Sequence, residues 1–234
     1  MTAAVLELSN VSKDYRGLRP LRITHLAVGA ADAIALLGFD RTSAEVFVNL
    51  VTGATLPDSG DIRVFGRATS SIADSADWLA TLDRFGLMTH RAVLLDALTV
   101  IQNLAMPFTL DVDPPPGEIR RRAEALAAEV GLADALWPKT VGEIDPAARI
   151  RVRLGRALAA DPAVLLVEHP TADLPRAAVP VLGDDIRAIA ARREIAVVAA
   201  TADEEFARAV ATRVLVLEAA TGRLLDRSRR RWFG

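Results

Sequence analysis

The chain has no cysteine among its 234 residues and only two lysines, Lys13 and Lys139. The first absence excludes disulfides, thiol chemistry and cysteine-based zinc sites. No apolar run approaches the roughly 18 residues that a membrane-spanning helix needs, and the first residues do not have the layout of a secretory signal. The expected location is therefore the cytoplasm, with any membrane association made through a partner. Neither sign of charge is in excess: a formal net charge of -2 gives no electrostatic case for nucleic acid. What is present is a composition that is 51% hydrophobic on a chain long enough to bury a sizeable core. That describes a soluble globular protein of one large or two small domains.

The order of elements is of α/β type. Val5 to Leu8 alternates as a short strand, a second apolar stretch runs from 21 to 28, and Ala33 to Leu37 is a continuous apolar run of the kind buried on both faces. Residues 44 to 52 read as a helix, and Pro57 to Asp61 as a turn into a strand at Ile62 to Phe65. After the break at Pro114 to Gly117, a stripe of Ile119, Ala123, Leu126 and Val130 predicts a helix over 118–130. Asp145-Pro146 predicts another helix start, because Asp is a strong N-cap and Pro suits the first helical position. Ala163 to Val167 and Ala196 to Ala200 are parallel-sheet runs, and Arg213 to Leu217 reads as the last strand. Strands on both sides of a helical middle predict one α/β core with a helical insertion.

The sharpest local signal is a loop between the strand at 33–37 and the helix after it. Gly38-Phe39-Asp40-Arg41-Thr42-Ser43-Ala44-Glu45 has the frame of a phosphate-binding P-loop, G-x-x-x-x-G-K-[ST]. Ser43 stands where the second Gly belongs, Ala44 where the Lys belongs and Glu45 where the hydroxyl belongs. The missing groups are those that let the backbone wrap a phosphate, supply positive charge and ligate Mg²⁺. No other lysine is near in sequence. Thr42 to Glu45 also reads as a capping box, so the helix is expected to satisfy the N-H groups a phosphate would use.

Over essentially its whole length the chain resembles the ATP-binding-cassette (ABC) transporter ATPase subunits. The segments that carry the likeness are LELSNVSKDYRG, IALLG, TGATLPDSGDIRVFG, LTVIQNLAMPF and RVRLGRALAADPAVLLVEHPTADL, in the right order and spacing. The resemblance implies a P-loop NTPase, RecA-like core with an N-terminal antiparallel β-subdomain and a helical insertion subdomain. The whole of 1–234 would be one nucleotide-binding domain, with 1–89 and 161–234 as core plus β-subdomain and 90–160 as helical subdomain. In the family two subunits sandwich two ATP molecules, each between the P-loop of one and the signature sequence of the other.

Carried over position by position, the resemblance implies a nucleotide site of Tyr15, Gly38, Arg41, Thr42, Ser43, Glu45 and His90, in which Ser43, Glu45 and His90 depart from the family's residues. The signature Leu-Ser-Gly-Gly-Gln aligns with Ile144 to Ala148, so that Asp145, Pro146 and Ala147 replace the Ser and both Gly. The Walker B Asp aligns with Glu168, the catalytic Glu with His169, the Q-loop Gln with His90, the switch His with Ala202 and the D-loop Asp with Pro175. Tyr15 keeps the position that stacks on adenine, and reads equally as a half-exposed strand-end aromatic. Arg41 is a solvated or locally paired charge, or a stand-in for the lost Lys. His169 with Glu168 offers a general base near neutral pH.

Glu45, His90 and Glu168, with His169 beside them, form a second candidate constellation: two imidazoles and two carboxylates suit zinc or another transition metal in place of Mg-ATP. The other reading is that they satisfy one another in an emptied cleft. Arg223, Arg227, Arg229, Arg230 and Arg231 with Trp232 and Phe233 form a basic aromatic tail, expected to be disordered, with a partner or lipid-headgroup contact as the other reading.

The expected function follows from counting half-sites: neither a homodimer nor a heterodimer with an intact ABC subunit would contain a complete ATP site. The chain is expected to be an ABC-type subunit that binds ATP and Mg²⁺ weakly or not at all, a pseudo-ATPase at the inner face of the cell membrane. It would dock on an integral membrane permease through the groove next to His90, or pair with an active homologue, as scaffold or regulator. The alternatives are weak hydrolysis through Arg41, Glu168 and His169 with ATP held at Tyr15, and a free-standing interaction protein.

Overall fold

A computed structural model describes residues 4–227. The chain opens with β1 (Ala4–Lys13) and β2 (Leu21–Gly29), then β3 (Ala33–Leu37), α1 (Arg41–Val51), β4 (Ser59–Val64) and β5 (Arg67–Ala68). Next come α2 (Ser75–Leu82), β6 (Phe85–Met88), α3 (Val100–Ala105), α4 (Gly117–Glu129) and α5 (Pro146–Leu158). The last part holds β7 (Val164–Glu168), α6 (Ala178–Arg193), β8 (Ala196–Thr201), α7 (Glu204–Val210), β9 (Arg213–Glu218) and β10 (Arg223–Asp226). Two sheets result: an antiparallel one ordered β2-β1-β4-β5, and a second ordered β10-β9-β3-β8-β7-β6. The second is parallel from β9 to β6, and only β10 joins antiparallel.

The parallel sheet divides the interior, and its period of two decides which side chain goes where. From β3, Ala33, Ala35 and Leu37 enter a core shared with the helices α3 to α7. Ile34 and Leu36 enter the other core, shared with α1 and the antiparallel sheet. The same alternation sends Leu165 and Val167 of β7 one way and Val164 and Leu166 the other. All five residues of β3 are buried, which is why that segment reads as a continuous apolar run. Burial of each such Leu or Ile contributes roughly 1.5–3 kcal/mol. The α5 helix lies directly on β6: a Cβ at Gly86 would come within 2.4 Å of the Ala157 carbonyl oxygen, so only glycine permits this approach.

Several element boundaries differ from expectation for identifiable reasons. The α1 helix starts at Arg41 instead of residue 44, because Asp40 caps it. The β4 strand starts at Ser59, inside the expected turn, since Ser59 pairs with Ser12 of β1. The turn is tied back by Lys13 Nζ, which donates to Asp58 Oδ1 at 2.8 Å. The strand at Arg213 is not the last, because β10 follows it. Arg223 therefore belongs to a strand and not to a disordered tail, and the Arg227 amide donates to the Val214 carbonyl at 2.8 Å. Arg229, Arg230, Arg231, Trp232 and Phe233 lie outside the described residues.

The segment between β6 and α3 is pinned by one buried side chain. Asn103 Nδ2 donates to the carbonyls of Leu95, Leu98 and Thr99, and its Oδ1 accepts from the Leu95 amide at 2.9 Å. Among the described residues no helix is long and apolar enough to cross a membrane.

Candidate functional site

The loop after β3 is set by glycine and by an aromatic anchor. Gly38 has a φ of +90°, and a Cβ there would meet the Leu217 carbonyl oxygen at 3.1 Å, so a side chain would be strained on both counts. Phe39 is buried and meets Phe47 edge-on at 5.8 Å, which holds the loop against α1. Asp40 then caps the helix: its Oδ1 accepts from the Ser43 amide at 2.7 Å and from the Ser43 hydroxyl at 2.6 Å. These two bonds hold the Asp40 carboxyl below the ordinary carboxylate range, the Ser43 hydroxyl contributing most and the Ser43 amide next. The expected capping box at Thr42 and Glu45 is thus corrected. The helix does cap itself with an acid, but through Asp40, two residues before the expected N-cap Thr42.

Ala44, at the position of a P-loop lysine, is fully buried against the core shared with α1. Glu45 turns instead toward Arg91, whose Nη1 lies 3.2 Å from Glu45 Oε1 and donates to Asn49 Oδ1 at 3.1 Å. Arg91 Nη2 reaches Glu168 Oε1 at 3.3 Å. One guanidinium therefore sits between the two carboxylates expected to hold a metal. His90 Nδ1 is 3.6 Å from Glu168 Oε2, longer than a hydrogen bond. Among the described residues no group of three or more His, Asp or Glu could hold a metal ion. The expected transition-metal centre at Glu45, His90 and Glu168 is not formed: Arg91 lies between Glu45 Oε1 and Glu168 Oε1, and the three side chains do not converge on one point.

Glu168, at the end of β7, is buried, and burial raises its carboxyl above the ordinary range. The charge of Arg91 opposes that shift, and the charge of Glu45 adds to it. His169 follows with a φ of +40°, its amide donating to the Ala200 carbonyl at 2.9 Å while its buried Nε2 has no partner. At the second helix start, Asp145 Oδ1 accepts from the Ala148 amide at 2.8 Å, with Pro146 opening α5 as the sequence predicts and Ala147 following it in the first turn. Ala202, at the switch position, precedes Asp203, which caps α7 through the Glu205 and Phe206 amides. Arg176, next to Pro175, donates to Asp203 Oδ2 at 2.7 Å.

Six of the seven expected nucleotide residues divide between two hollows, and Glu45 lines neither. Tyr15, Gly38, Asp40, Thr42 and Ser43 line a cleft of about 530 Å³. Arg41, His90, Glu168 and His169, with Pro146, line a separate cavity of about 440 Å³. Tyr15 is half-buried, and its hydroxyl is pushed up first by that burial and then by the charge of Asp40. Sequence reasoning missed Arg91, which has no local signal, and it missed Asp40 as the cap.

No family model matches the chain. The sulfate/thiosulfate import ATP-binding protein CysA of Methylococcus capsulatus is 31% identical over 219 residues, 92% of this chain and 60% of that protein. The lipoprotein-releasing system ATP-binding protein LolD of Pseudomonas syringae pv. tomato is 28% identical over 227 residues, 95% of this chain and 98% of its own length. The cassette cbiO1 of Clostridium perfringens, described as part of an ABC transporter complex, superposes with a TM-score of 0.79 at 20% identity, covering 95% of this chain and 87% of that one. The chain's relatives are ATP-binding subunits of ABC transporters, and its structural neighbours are ATP-binding cassettes. Its P-loop NTPase architecture, with an antiparallel sheet beside a parallel one, is the fold of these cassettes. A dimeric ATP-binding cassette solved with ADP and Pi shares the fold at a TM-score of 0.74 and 19% identity, covering 94% of this chain and 96% of that one. The chain spans 60% of the length of its sulfate/thiosulfate relative.

Proposed function

We propose that this cassette is the ATP-binding-type subunit of a membrane transport system, in which its own cleft no longer takes magnesium–ATP. It would act as scaffold or regulator at the inner face of the membrane, docked on an integral membrane permease and paired with a second copy or with an active homologue. In this reading 1–89 with 161–234 are the core and β-subdomain, and 90–160 is the helical subdomain next to the docking groove.

The observation that carries the proposal is the Asp40 carboxylate on the Ser43 amide and hydroxyl. Those are groups a phosphate would use at a helix start. A phosphate brought within about 4 Å of that carboxylate would be repelled by about 4 kcal/mol at an effective dielectric near 20. The remaining residues do not fit a magnesium-bound triphosphate either. Ala44 brings no charge, and Glu45 and Glu168 are already engaged by Arg91. Asp145 closes the second helix start with its own side chain.

Two measurements on the full chain test this. An ATP titration with and without Mg²⁺ is expected to give a Kd weaker than about 1 mM, which leaves little occupancy at cellular ATP. Micromolar binding that is lost on Tyr15→Ala would overturn the reading that the cleft no longer takes ATP. Purification of the tagged chain from membranes is expected to bring down a multi-pass protein. Recovery of only a soluble partner would remove the transport role.

A further inference from the structure

Among the described residues, three buried side-chain polar atoms lack a hydrogen-bond partner: Arg153 Nε, Glu168 Oε2 and His169 Nε2. Arg153 lies on α5, while Glu168 and His169 lie at the end of β7, yet all three line the single cavity of about 440 Å³. Buried polar groups in proteins are paired in the great majority of cases, so three unmet groups on one cavity point to a partner from outside the chain. Arg41, on the same lining, also has a side chain without a hydrogen bond or ion pair among the described residues.

We propose that this cavity binds an α-amino acid with an aliphatic side chain, independently of the cleft at Tyr15 and of any transport role. The volume lies within the range of small-molecule sites, roughly 300–1,000 Å³. Its charges are mixed: Arg41, Arg149 and Arg153 are positive, Glu168 and Asp173 negative. A zwitterion answers both signs, whereas a simple anion or cation leaves one unmet. The carboxylate would lie on the Arg153 and Arg41 guanidinium groups, whose planar donors suit it. The ammonium would meet Glu168 Oε2, which lies 3.6 Å from His90 Nδ1. That ring has 45% of its surface exposed and no hydrogen bond to hold it, so a change of rotamer uncovers the carboxylate. Met88, Ile144, Ile150 and Leu174 supply an apolar wall for the aliphatic part.

Calorimetric titration of the full chain tests the site with three probes: L-leucine, 4-methylpentanoate, which lacks the ammonium, and 3-methylbutylamine, which lacks the carboxylate. L-leucine is expected to bind, and each truncated probe to bind about tenfold more weakly or less, since each forfeits a charge-assisted contact. Arg153→Met and Glu168→Gln are each expected to weaken L-leucine about tenfold, while Tyr15→Ala leaves it unchanged. If Arg153→Met does not fold, Arg41→Met, at an exposed position, takes its place with the same expected loss. No heat with L-leucine, equal binding of all three probes, or undiminished binding by the variants overturns the proposal. The first of these results assigns the unmet groups to water alone.

Discussion

The cleft at Tyr15 and the cavity at His90 meet at the start of α1, where Thr42 and Ser43 line the first and Arg41 the second. They treat polar groups in opposite ways. In the cleft, the helix amide that would receive a phosphate is taken by Asp40, a residue three positions away in the same loop. In the cavity, three polar atoms, from α5, from the end of β7 and from the residue after it, have no hydrogen-bond partner among the described residues. The difference teaches that the departures from the ABC motifs are not uniform erosion. In one hollow a side chain of the same loop holds the helix amide, and in the other three polar atoms are without a partner among the described residues.

The largest effect should come from forcing the lost charge back into the cleft. Ala44→Lys puts an ammonium where a fully buried methyl packs against the core, and a buried unpaired charge costs about 3 kcal/mol or more. For a chain of this size that corresponds to a fall in Tm of about 6–12 °C. Thermal denaturation should show that fall, and ATP binding should not return while Asp40 holds Ser43. A stable variant that binds ATP would mean the cleft was never closed.

Arg91 comes second, because it neutralises both Glu45 and Glu168. Burial raises the folded-state pKa of Glu168, so its contribution to stability is present below the ordinary carboxylate range and lost as pH rises through the folded value. Arg91 opposes that loss. Arg91→Met should therefore cost little near pH 4–5 and about 2 kcal/mol at pH 8, a moderate figure because Arg91 is partly exposed. Urea denaturation at both pH values measures it, and a cost independent of pH would show that Glu168 does not feel the guanidinium.

The smallest effects belong to the two caps. Asp40→Ala and Asp145→Ala should each cost about 1 kcal/mol, and their sum should hold in the double variant because the two share no partner. Asp40 has a lowered folded-state pKa, so its stabilisation is present above the ordinary value and lost as pH falls through the folded one. Asp40→Ala should therefore flatten the decline in stability below about pH 4. Denaturation at pH 3 and pH 7 compares the two variants.

How much of this could be read from the residues depends on the range of the interaction. The β3 run from Ala33 to Leu37 and the Asp145-Pro146 helix start are written in neighbouring positions, and both form where the sequence places them. The α1 cap was ambiguous because two acids and two hydroxyls overlap within six residues. Thr42 with Glu45 and Asp40 with Ser43 have the same spacing, and Glu45 is drawn off by Arg91, which lies 46 positions along the chain. Arg91 itself was illegible, since its three partners on α1 and β7 are neighbours only once β6 and β7 pair. The β10 strand was hidden for a similar reason. It is short, arginine-bearing, and exists by pairing with β9.

The scarcity of lysine has a practical side. Lys13 is clamped to Asp58 at 2.8 Å in the antiparallel sheet, whereas Lys139 is exposed just ahead of the α5 segment. An amine-reactive label thus meets one guarded and one open side chain. Their relative modification rates form a built-in two-channel reporter: Lys139 calibrates the reagent, and Lys13 reacts at a matching rate only when the Asp58 turn lets go of β1.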